Sequence, residues 1–249
     1  MSKKQALINN EITQLVQQKV TSGSPWTLDE VKRAQLFSGA GGVTTGVRGS
    51  LYEYYTPDYI VARMWALAYR HGFTSGRILE PSCGTGNFLR YVDPTNNFVD
   101  AYEYSKDDDT SYQIAKASYP FANIKKDYFE SIFYEGNKRV GTNKQYDLVI
   151  GNPPYSTFQG LYAGKKREGK VFSGKTYDQY FIWASIELLA TNGICCMIIP
   201  STFLDNSSSY ESFKDDLFSK ADLVDAYRLP RNTFNHTQIQ TDIVVFKKR

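Results

Sequence analysis

Short apolar runs alternate with helical stretches along residues 76–249. The runs have the composition of buried strands and lie at 77–80, 98–104, 146–150, 194–199, 223–229 and 243–246. Stretches with helical periodicity lie between some of them, at 88–92, 111–117 and 180–189. Asn192-Gly193 is expected to end the last of these helices. Strands that alternate with helices predict βαβ units, and therefore an α/β fold with a mostly parallel sheet and helices on both faces.

The first fifty residues are predicted to form a helical extension. Apolar residues recur with a helical period over residues 6–16, and Ser24-Pro25 breaks the pattern. Thr27 and Glu30 have the spacing of a capping box, which predicts the start of a second, short helix. A glycine cluster at 39–42 is then expected to form a loop.

A third helix is predicted at the start of the main part of the chain. It is expected from Pro57 to about Arg70, with Thr56 as its N-cap and Pro57 as its first residue. We therefore divide the chain into an N-terminal helical extension, 1–50, and a main domain, 51–249.

The composition is that of an ordinary folded protein. The 249 residues are 41% hydrophobic and 22% charged, which excludes disorder as the main state. The net charge of +3 permits a nucleic-acid partner without requiring one. No run approaches the roughly 18 apolar residues of a membrane span, and the N-terminus lacks a signal-peptide pattern. Three cysteines and two histidines argue against a disulfide framework or a zinc site. We expect a cytoplasmic, metal-independent protein with no membrane partner.

A glycine-rich segment, Glu80 to Phe88, follows the first strand. Gly84 and Gly86 allow a backbone to approach a ligand closely, and ligands of open α/β sheets bind at this end of the strands. The segment lacks both the third glycine of a dinucleotide fingerprint and the lysine of a phosphate loop. Because Glu80 would repel a phosphate, a ligand with an ammonium or sulfonium group is favoured. A tight turn without a ligand is the alternative.

Two acidic residues follow at later strand ends. Glu103 comes seventeen residues after Gly86, a separation that suits a carboxylate binding a ribose diol. Taken alone, Glu103 is better explained as a solvated carboxylate at the end of a strand. Asp127, beside Tyr128 and Phe129, could accept a hydrogen bond from an adenine amino group, or could cap a helix.

The tetrapeptide Asn152-Pro153-Pro154-Tyr155 directly follows the third apolar run. Its prolines fix the backbone and present the carbonyls of Asn152 and Pro153 in a rigid turn. With the Asn152 side-chain carbonyl, these acceptors could bind both hydrogens of an amino group. Tyr155 could offer a flat face to the ring that carries that amine. A strand-end turn without a functional role is the alternative.

The order of these motifs resembles the γ-class DNA adenine-N6 methyltransferases, which use S-adenosylmethionine. The segment Tyr54 to Pro57 matches the one that precedes the cofactor loop in that class, and 178–204 resembles its later helix and strand. The stretches 226–230 and 241–246 are similar to the methylase portion of methylase–helicase proteins of phages and mobile elements. Covering 51–249, the resemblance implies a Rossmann-like methyltransferase fold with a mostly parallel seven-stranded sheet.

The resemblance also implies a role for each motif. Residues matching the segments around the methionine part of the cofactor are Tyr55, Thr56, Pro57, Glu80, Pro81, Cys83, Gly84, Gly86, Asn87 and Phe88. Glu103 matches the ribose acid, and Asp127 with Tyr128 or Phe129 matches the adenine pocket. Asn152, Pro153, Pro154 and Tyr155 match the catalytic tetrapeptide, on which a flipped-out adenine would be methylated.

DNA is the partner that the resemblance implies. Family members carry a separate target-recognition domain, which we expect to be absent from 51–249. Target recognition would then come from a specificity subunit or from further domains of a longer chain. The segment 156–175 is predicted to be a long mobile loop whose basic residues contact DNA phosphates: Lys165, Lys166, Arg167, Lys170 and Lys175. A solvated loop is the alternative. Methylation of a protein glutamine amide or an RNA base, and a non-catalytic DNA-binding module, are the competing functions.

Overall fold

The computed structural model describes residues 3–38, 55–104, 108–136, 138–140, 143, 145–162, 164, 172, 174–205, 210–231, 233–234 and 239–249. The strands are β1 (Gly76–Glu80), β2 (Asn97–Glu103), β3 (Asn123–Lys126), β4 (Tyr134–Glu135), β5 (Lys138–Arg139), β6 (Tyr146–Gly151), β7 (Leu189–Pro200), β8 (Ala221–Arg228) and β9 (Thr241–Lys248). The helices are α1 (Lys3–Ser22), α2 (Leu28–Ala34), α3 (Asp58–Arg70), α4 (Thr110–Ser118), α5 (Tyr177–Leu188) and α6 (Glu211–Lys220).

Seven of the strands form one sheet, in the order β3-β2-β1-β6-β7-β9-β8. The pairs from β3 to β7 are parallel, whereas β9 is antiparallel to both of its neighbours. The predicted mostly parallel, seven-stranded sheet is therefore confirmed. Since the strand order reverses between β1 and β6, the carboxyl ends of these two strands border a crevice of the kind in which such sheets bind ligands.

Alternate residues of the central strands point into two separate cores. On one face, residues such as Leu79, Val149 and Met197 pack with α5 and α6. On the other, residues such as Ile78 and Leu148 pack with α3. The sheet is buried on both faces, which explains why its central strands read as continuous apolar runs.

The junction of α5 and β7 differs from the sequence prediction. Asn192-Gly193 does not end the helix, because α5 stops at Leu188 and β7 already begins at Leu189. Asn192 has a left-handed φ of 65° inside an irregular part of β7, where pairing with β6 passes from Leu189 directly to Ile194. Asparagine tolerates this conformation, so the pair forms a bend within the strand and not a helix terminus.

The N-terminal helices pack against the sheet domain. Thr27 and Glu30 form the predicted capping box at the start of α2. Apolar side chains of α1 and α2, among them Ile12 and Ala34, form a small core with Ile114 of α4. The third predicted helix begins one residue later than expected, at Asp58, with Pro57 as its N-cap. The division at residue 50 stays a prediction, since residues 39–54 lie outside the described ranges.

No helix among the described residues is long and apolar enough to cross a bilayer.

Candidate active site

One cleft opens at the carboxyl ends of β1, β2 and β6. The residues that line it are Tyr55, Thr56, Pro81, Ser82, Cys83, Gly84, Asn87, Phe88, Tyr102, Glu103, Tyr104, Asp127, Tyr128, Phe129, Glu130, Asn152, Pro154, Leu161, Tyr177 and Phe181. The segment before α3, the glycine-rich loop, both strand-end acids and the tetrapeptide after β6 therefore meet in one place.

The glycine-rich loop turns by means of two left-handed residues. Gly84 and Gly86 have φ values of +55° and +85°, which L side chains rarely adopt. A Cβ atom on Gly84 would contact the ring of Tyr55 at 3.5 Å, so this loop and the segment before α3 lie against each other. Gly86 faces away from the cleft, where a Cβ would come within 2.6 Å of the Tyr119 ring. Gly84 thus lines the site, whereas Gly86 permits packing beneath it.

Glu103 ties the second strand to the glycine-rich loop. Its Oε2 accepts a hydrogen bond of 2.7 Å from the main-chain N–H of Gly84. The main-chain N–H of Cys83 donates to the carbonyl of Tyr102 at 2.9 Å. The loop is consequently held against the end of β2 by two bonds, one of them to a carboxylate that itself lines the cleft.

Aromatic rings form the wall beyond Glu103. The rings of Tyr104 and Tyr128 lie 3.8 Å apart at an angle of 33°, and those of Phe129 and Phe181 lie 4.9 Å apart. Asp127 lies in the same wall, where its Oδ1 accepts the main-chain N–H of Tyr128 at 2.7 Å. These flat apolar surfaces beside a carboxyl group form a site suited to a heterocyclic ring with an amino substituent.

Asn152 is held by two distant segments of the chain and by its own turn. Its Nδ2 donates to Thr56 Oγ1 at 3.3 Å, and its main-chain carbonyl accepts from Ser82 Oγ at 3.3 Å. Its Oδ1 accepts from the hydroxyl of Tyr155. Within the tetrapeptide, Pro154 also lines the cleft, whereas Pro153 is buried behind it.

Tyr155 lies behind Asn152 and not in the cleft lining. The residue is only 6% exposed and packs in the core on the α3 face of the sheet. Its hydroxyl also donates to the carbonyl of Ile198 at 3.2 Å. A base could stack on this ring only after the ring had become more exposed than it is here, so the predicted stacking stays a prediction.

Glu80 also lies beneath the cleft surface, in contrast to the expectation that its charge faces a ligand. The side chain is fully buried, and its Oε1 accepts from the main-chain N–H of Ser82 at 3.3 Å. Its Oε2 has no hydrogen-bond partner among the described residues. Burial raises the pKa of this carboxyl well above its usual value. Burial thus favours the protonated form of Glu80, whose side chain packs against Gly151, where a Cβ would lie 2.5 Å from Oε1.

Several lining residues escaped the sequence analysis. Glu130 follows Asp127 by three residues and is a third acidic residue of the cleft lining, with Glu103 and Asp127. Tyr177 and Phe181, one turn apart on α5, complete the aromatic wall. Tyr177 and Phe181 are four residues apart, and this spacing indicates that they share a helix face. It does not indicate which part of the fold that face packs against.

The two ends of the segment 156–175 are hydrogen-bonded to each other. Thr157 and Thr176 form an antiparallel bridge, and the main-chain N–H of Phe158 donates to the carbonyl of Lys175 at 2.9 Å. Lys175 itself is exposed and does not line the cleft. The other predicted contact residues, Lys165, Lys166, Arg167 and Lys170, lie outside the described ranges.

Within the described ranges, no cluster of three or more His, Cys, Asp and Glu side chains could hold a metal ion.

A model of the Eco57I restriction-modification methylase family matches residues 82–234. The match includes Gly84, Glu103, Asp127 and the tetrapeptide 152–155. The chain belongs to this family. The resemblance inferred from the motifs is therefore confirmed at the level of the family.

Curated relatives of this Eco57I-family chain are much longer than the chain itself. It is 30% identical over 226 residues to "Defense against restriction protein B" of Escherichia phage P1, covering 89% of this chain and 9% of the relative. It is 27% identical to modification methylase CviBIII of Paramecium bursaria Chlorella virus NC1A, covering 78% and 49%. It is also 27% identical to the type I restriction enzyme EcoEI methylase subunit of Escherichia coli, covering 80% and 43%. The chain thus spans half or less of these relatives.

Solved structures share the fold of the Eco57I-family chain at low sequence identity. A putative class I S-adenosylmethionine-dependent methyltransferase from Listeria monocytogenes aligns with a TM-score of 0.65 at 16% identity, covering 88% of this chain and 68% of that one. A modification subunit of a putative type I restriction enzyme from Vibrio vulnificus aligns with a TM-score of 0.66 at 15% identity, covering 90% and 51%. The predicted Rossmann-like methyltransferase fold is confirmed.

Proposed function

We propose that this chain carries the catalytic site of a DNA methyltransferase that transfers a methyl group from S-adenosylmethionine to N6 of adenine. The observation that carries the proposal is that Asn152 lines the same cleft as Gly84 and Glu103. An amine acceptor and a nucleoside site are thereby brought together in a chain of a restriction-modification methylase family.

The chemistry of the cleft fits S-adenosylmethionine. Its described lining carries three carboxyl groups, from Glu103, Asp127 and Glu130, and neither lysine nor arginine. Such a lining favours a ligand with ammonium and sulfonium groups and disfavours a phosphate. When bound, S-adenosylmethionine supplies a sulfonium methyl group, whose S–C bond breaks as an N–C bond to the target forms and the amine loses a proton.

Each wall of the cleft has a part in holding this cofactor. Glu103 would accept hydrogen bonds from the ribose hydroxyls, and its bond to Gly84 fixes that carboxylate relative to the loop around the methionine part. The rings of Tyr128 and Phe129 would cover the adenine, and Asp127 would accept from its amino group.

Asn152 would bind and orient the target amine. An amide oxygen can accept two hydrogen bonds, so Oδ1 can bind an amine hydrogen beside the hydroxyl of Tyr155. Accepting from the amine draws the nitrogen lone pair out of conjugation with the base and aims it at the methyl group. Since Thr56 and Ser82 already fix Asn152, little reorganisation is needed when the base arrives.

DNA is favoured over the other substrates by the relatives. The family description and the names of CviBIII and EcoEI refer to restriction and modification, processes that act on DNA. A non-catalytic module would have no need of an acceptor that two distant segments, at Thr56 and Ser82, hold in the cleft. Because the chain spans half or less of its relatives, we propose that further domains or a specificity subunit recognise the DNA sequence. The predicted cytoplasmic location belongs to this proposal.

Incubation with radiolabelled S-adenosylmethionine and DNA, RNA or a glutamine-containing peptide tests the proposal. The products are digested and the labelled unit is identified by mass spectrometry, with Asn152→Ala as the control for site-dependent transfer. We expect N6-methyladenine from DNA. Label in methylglutamine or in an RNA base would replace DNA as the substrate, and binding of the cofactor without transfer to any of the three would overturn the catalytic assignment.

A further inference from the structure

The N-terminal helices reach the cleft through a short series of contacts. Helices α1 and α2 pack on α4, where Ile12 of α1 and Ala34 of α2 meet Ile114. The segment that follows α2, residues 36–38, lies beside α1 and carries Phe37 towards the cleft. The described contacts therefore connect a helical unit outside the sheet to the wall of the candidate active site.

Two amide side chains of α1 hold the segment 36–38 in place. Asn9 is 8% exposed, and it binds both polar groups of the Ser38 main chain. Its Nδ2 donates to the Ser38 carbonyl at 2.5 Å, and its Oδ1 accepts the Ser38 N–H at 3.2 Å. Gln5 Nε2 donates to the carbonyl of Leu36 at 3.1 Å. These bonds fix the backbone on both sides of Phe37.

Phe37 in turn packs against Tyr55, which lines the cleft. The two ring centroids lie 6.0 Å apart with the planes at 74°, an edge-to-face arrangement. The hydroxyl of Tyr55 shares a hydrogen bond with Ser111 Oγ of α4. The Tyr55 ring also lies against Gly84, where an added Cβ would be 3.5 Å from Cε1 of the ring, an ordinary van der Waals contact. Tyr55 is thus held between α4, Phe37 and the glycine-rich loop.

We propose that Phe37 and Asn9 are positioning residues, which hold Tyr55 in the cleft wall and thereby set the affinity for the cofactor. This inference rests on the proposed function, because the cofactor is the ligand expected beside Gly84. Loss of Phe37 removes one of these three contacts, so that the Tyr55 ring samples other rotamers more often. Ligand binding must then order that ring again, which weakens binding by about 2- to 10-fold.

Calorimetric titration with S-adenosylhomocysteine, the demethylated cofactor, measures this effect. We expect Phe37→Ala and Asn9→Ala each to raise Kd by about 2- to 10-fold. The matched controls are the exposed neighbours, Leu36→Ala and Asn10→Ala, which should stay within about 2-fold of the wild type. In steady-state assays Phe37→Ala and Asn9→Ala should raise KM for the cofactor and leave kcat at saturation unchanged.

A Tyr55→Ala background separates positioning from general destabilisation. If Phe37 acts through Tyr55, Phe37→Ala should not weaken binding further in that background. Circular dichroism establishes that each variant is folded, and Phe37→Leu, which keeps most of the apolar volume, provides the same test if Phe37→Ala unfolds. Wild-type Kd values in both Phe37→Ala and Asn9→Ala would overturn the inference, as would full additivity with Tyr55→Ala. Failure of the wild type to bind S-adenosylhomocysteine would instead overturn the proposed function.

Discussion

Asn152 shows how single residues of the cleft depend on distant parts of the chain. Its side chain and carbonyl bond to Thr56, Ser82 and Tyr155, which precede α3, follow β1 and follow β6 respectively. The rigidity that Pro153 and Pro154 give to the turn is therefore reinforced from outside it. A residue held in this way is suited to orient a substrate group without paying for its own ordering.

Replacing Asn152 by alanine should affect transfer far more than cofactor binding. We expect Asn152→Ala to lower kcat by about 100-fold or more, since it removes a preorganised polar contact to the reacting amine. The Kd for S-adenosylhomocysteine should change by less than about 3-fold, because other residues hold the cofactor. Steady-state kinetics and calorimetry measure the two quantities. Asn143→Ala, an exposed change ahead of β6, is the control, and full turnover by Asn152→Ala would refute the role.

The buried carboxyl of Glu80 should make stability depend on pH. Its pKa is raised by burial, so between its usual value of 4.5 and the raised value the folded chain keeps a proton that the unfolded chain releases. This contribution to stability is complete below pH 4.5 and is lost as the pH rises. We expect the unfolding free energy of the wild type to fall relative to Glu80→Gln as the pH rises above 4.5, by at most about 1.4 kcal/mol per pH unit.

Urea unfolding of both proteins at a series of pH values measures this difference. Glutamine keeps the acceptor for the Ser82 N–H and cannot ionise. The difference between the two proteins therefore reports the ionisation of the Glu80 carboxyl. Glu11→Gln, at an exposed position on α1, is the control. Parallel pH profiles for the wild type and Glu80→Gln would contradict the buried, neutral state.

At the scale of elements, the strands of the large sheet that contain an apolar run were predictable, whereas β3 and the short hairpin of β4 and β5 were not. β1, β6 and the centre of β7 are continuous apolar runs because helices cover the sheet on both sides. β3 escaped prediction because three of its four residues, Asn123, Lys125 and Lys126, are polar and exposed. The hairpin of β4 and β5 has two residues in each strand, which is too short for any periodicity.

The bend at Asn192 should tolerate glycine and reject a β-branched residue. At a φ of 65°, Asn192→Val should destabilise the fold by about 1–2 kcal/mol, because Cβ crowds the following carbonyl. Asn192→Gly should change stability by less than about 1 kcal/mol. Urea midpoints measure both effects, with Thr191→Val at the exposed neighbouring position as the control. Equal stability of the valine and glycine variants would show that the bend is not left-handed in solution.

At the scale of the whole molecule, the sheet brings four distant segments to one edge. Local motifs were sufficient to predict Gly84, Glu103 and Asn152, because each follows a recognisable strand. They could not show that Glu80 and Tyr155 lie beneath the cleft surface. Glu80 is buried by its close approach to Gly151, and Tyr155 by packing that brings its hydroxyl to the carbonyl of Ile198. The positions of Glu130, Tyr177 and Phe181 likewise depend on how helices pack over the strand ends.

DNA binding belongs to this scale, because a duplex is larger than the cleft. The two ends of the segment 156–175 are joined by the bridge between Thr157 and Thr176, and Leu161 of the same segment lines the cleft. We expect combined replacement of four residues by glutamine to reduce the slope of log K against log salt by about 3 to 4. These residues are Lys165, Lys166, Arg167 and Lys170.

Fluorescence anisotropy with duplex DNA at several salt concentrations measures this slope. The control replaces four exposed lysines elsewhere, Lys3, Lys4, Lys32 and Lys138, and leaves the net charge equal to that of the test variant. Calorimetry with S-adenosylhomocysteine should show the same Kd in both variants. An equal loss of slope in test and control would mean that overall charge, and not this segment, attracts DNA.

The carboxyl-rich lining of the cleft has a consequence for choice among the small molecules of a cell. ATP shares its adenosine half with the proposed cofactor, so the aromatic wall and Glu103 alone would not distinguish the two. The difference lies at the 5′ end, where a triphosphate would extend from the ribose at Glu103 towards the glycine-rich loop, with no lysine or arginine in the described lining to neutralise it. Electrostatic repulsion would thus keep an abundant competitor out of a site whose shape would otherwise admit it.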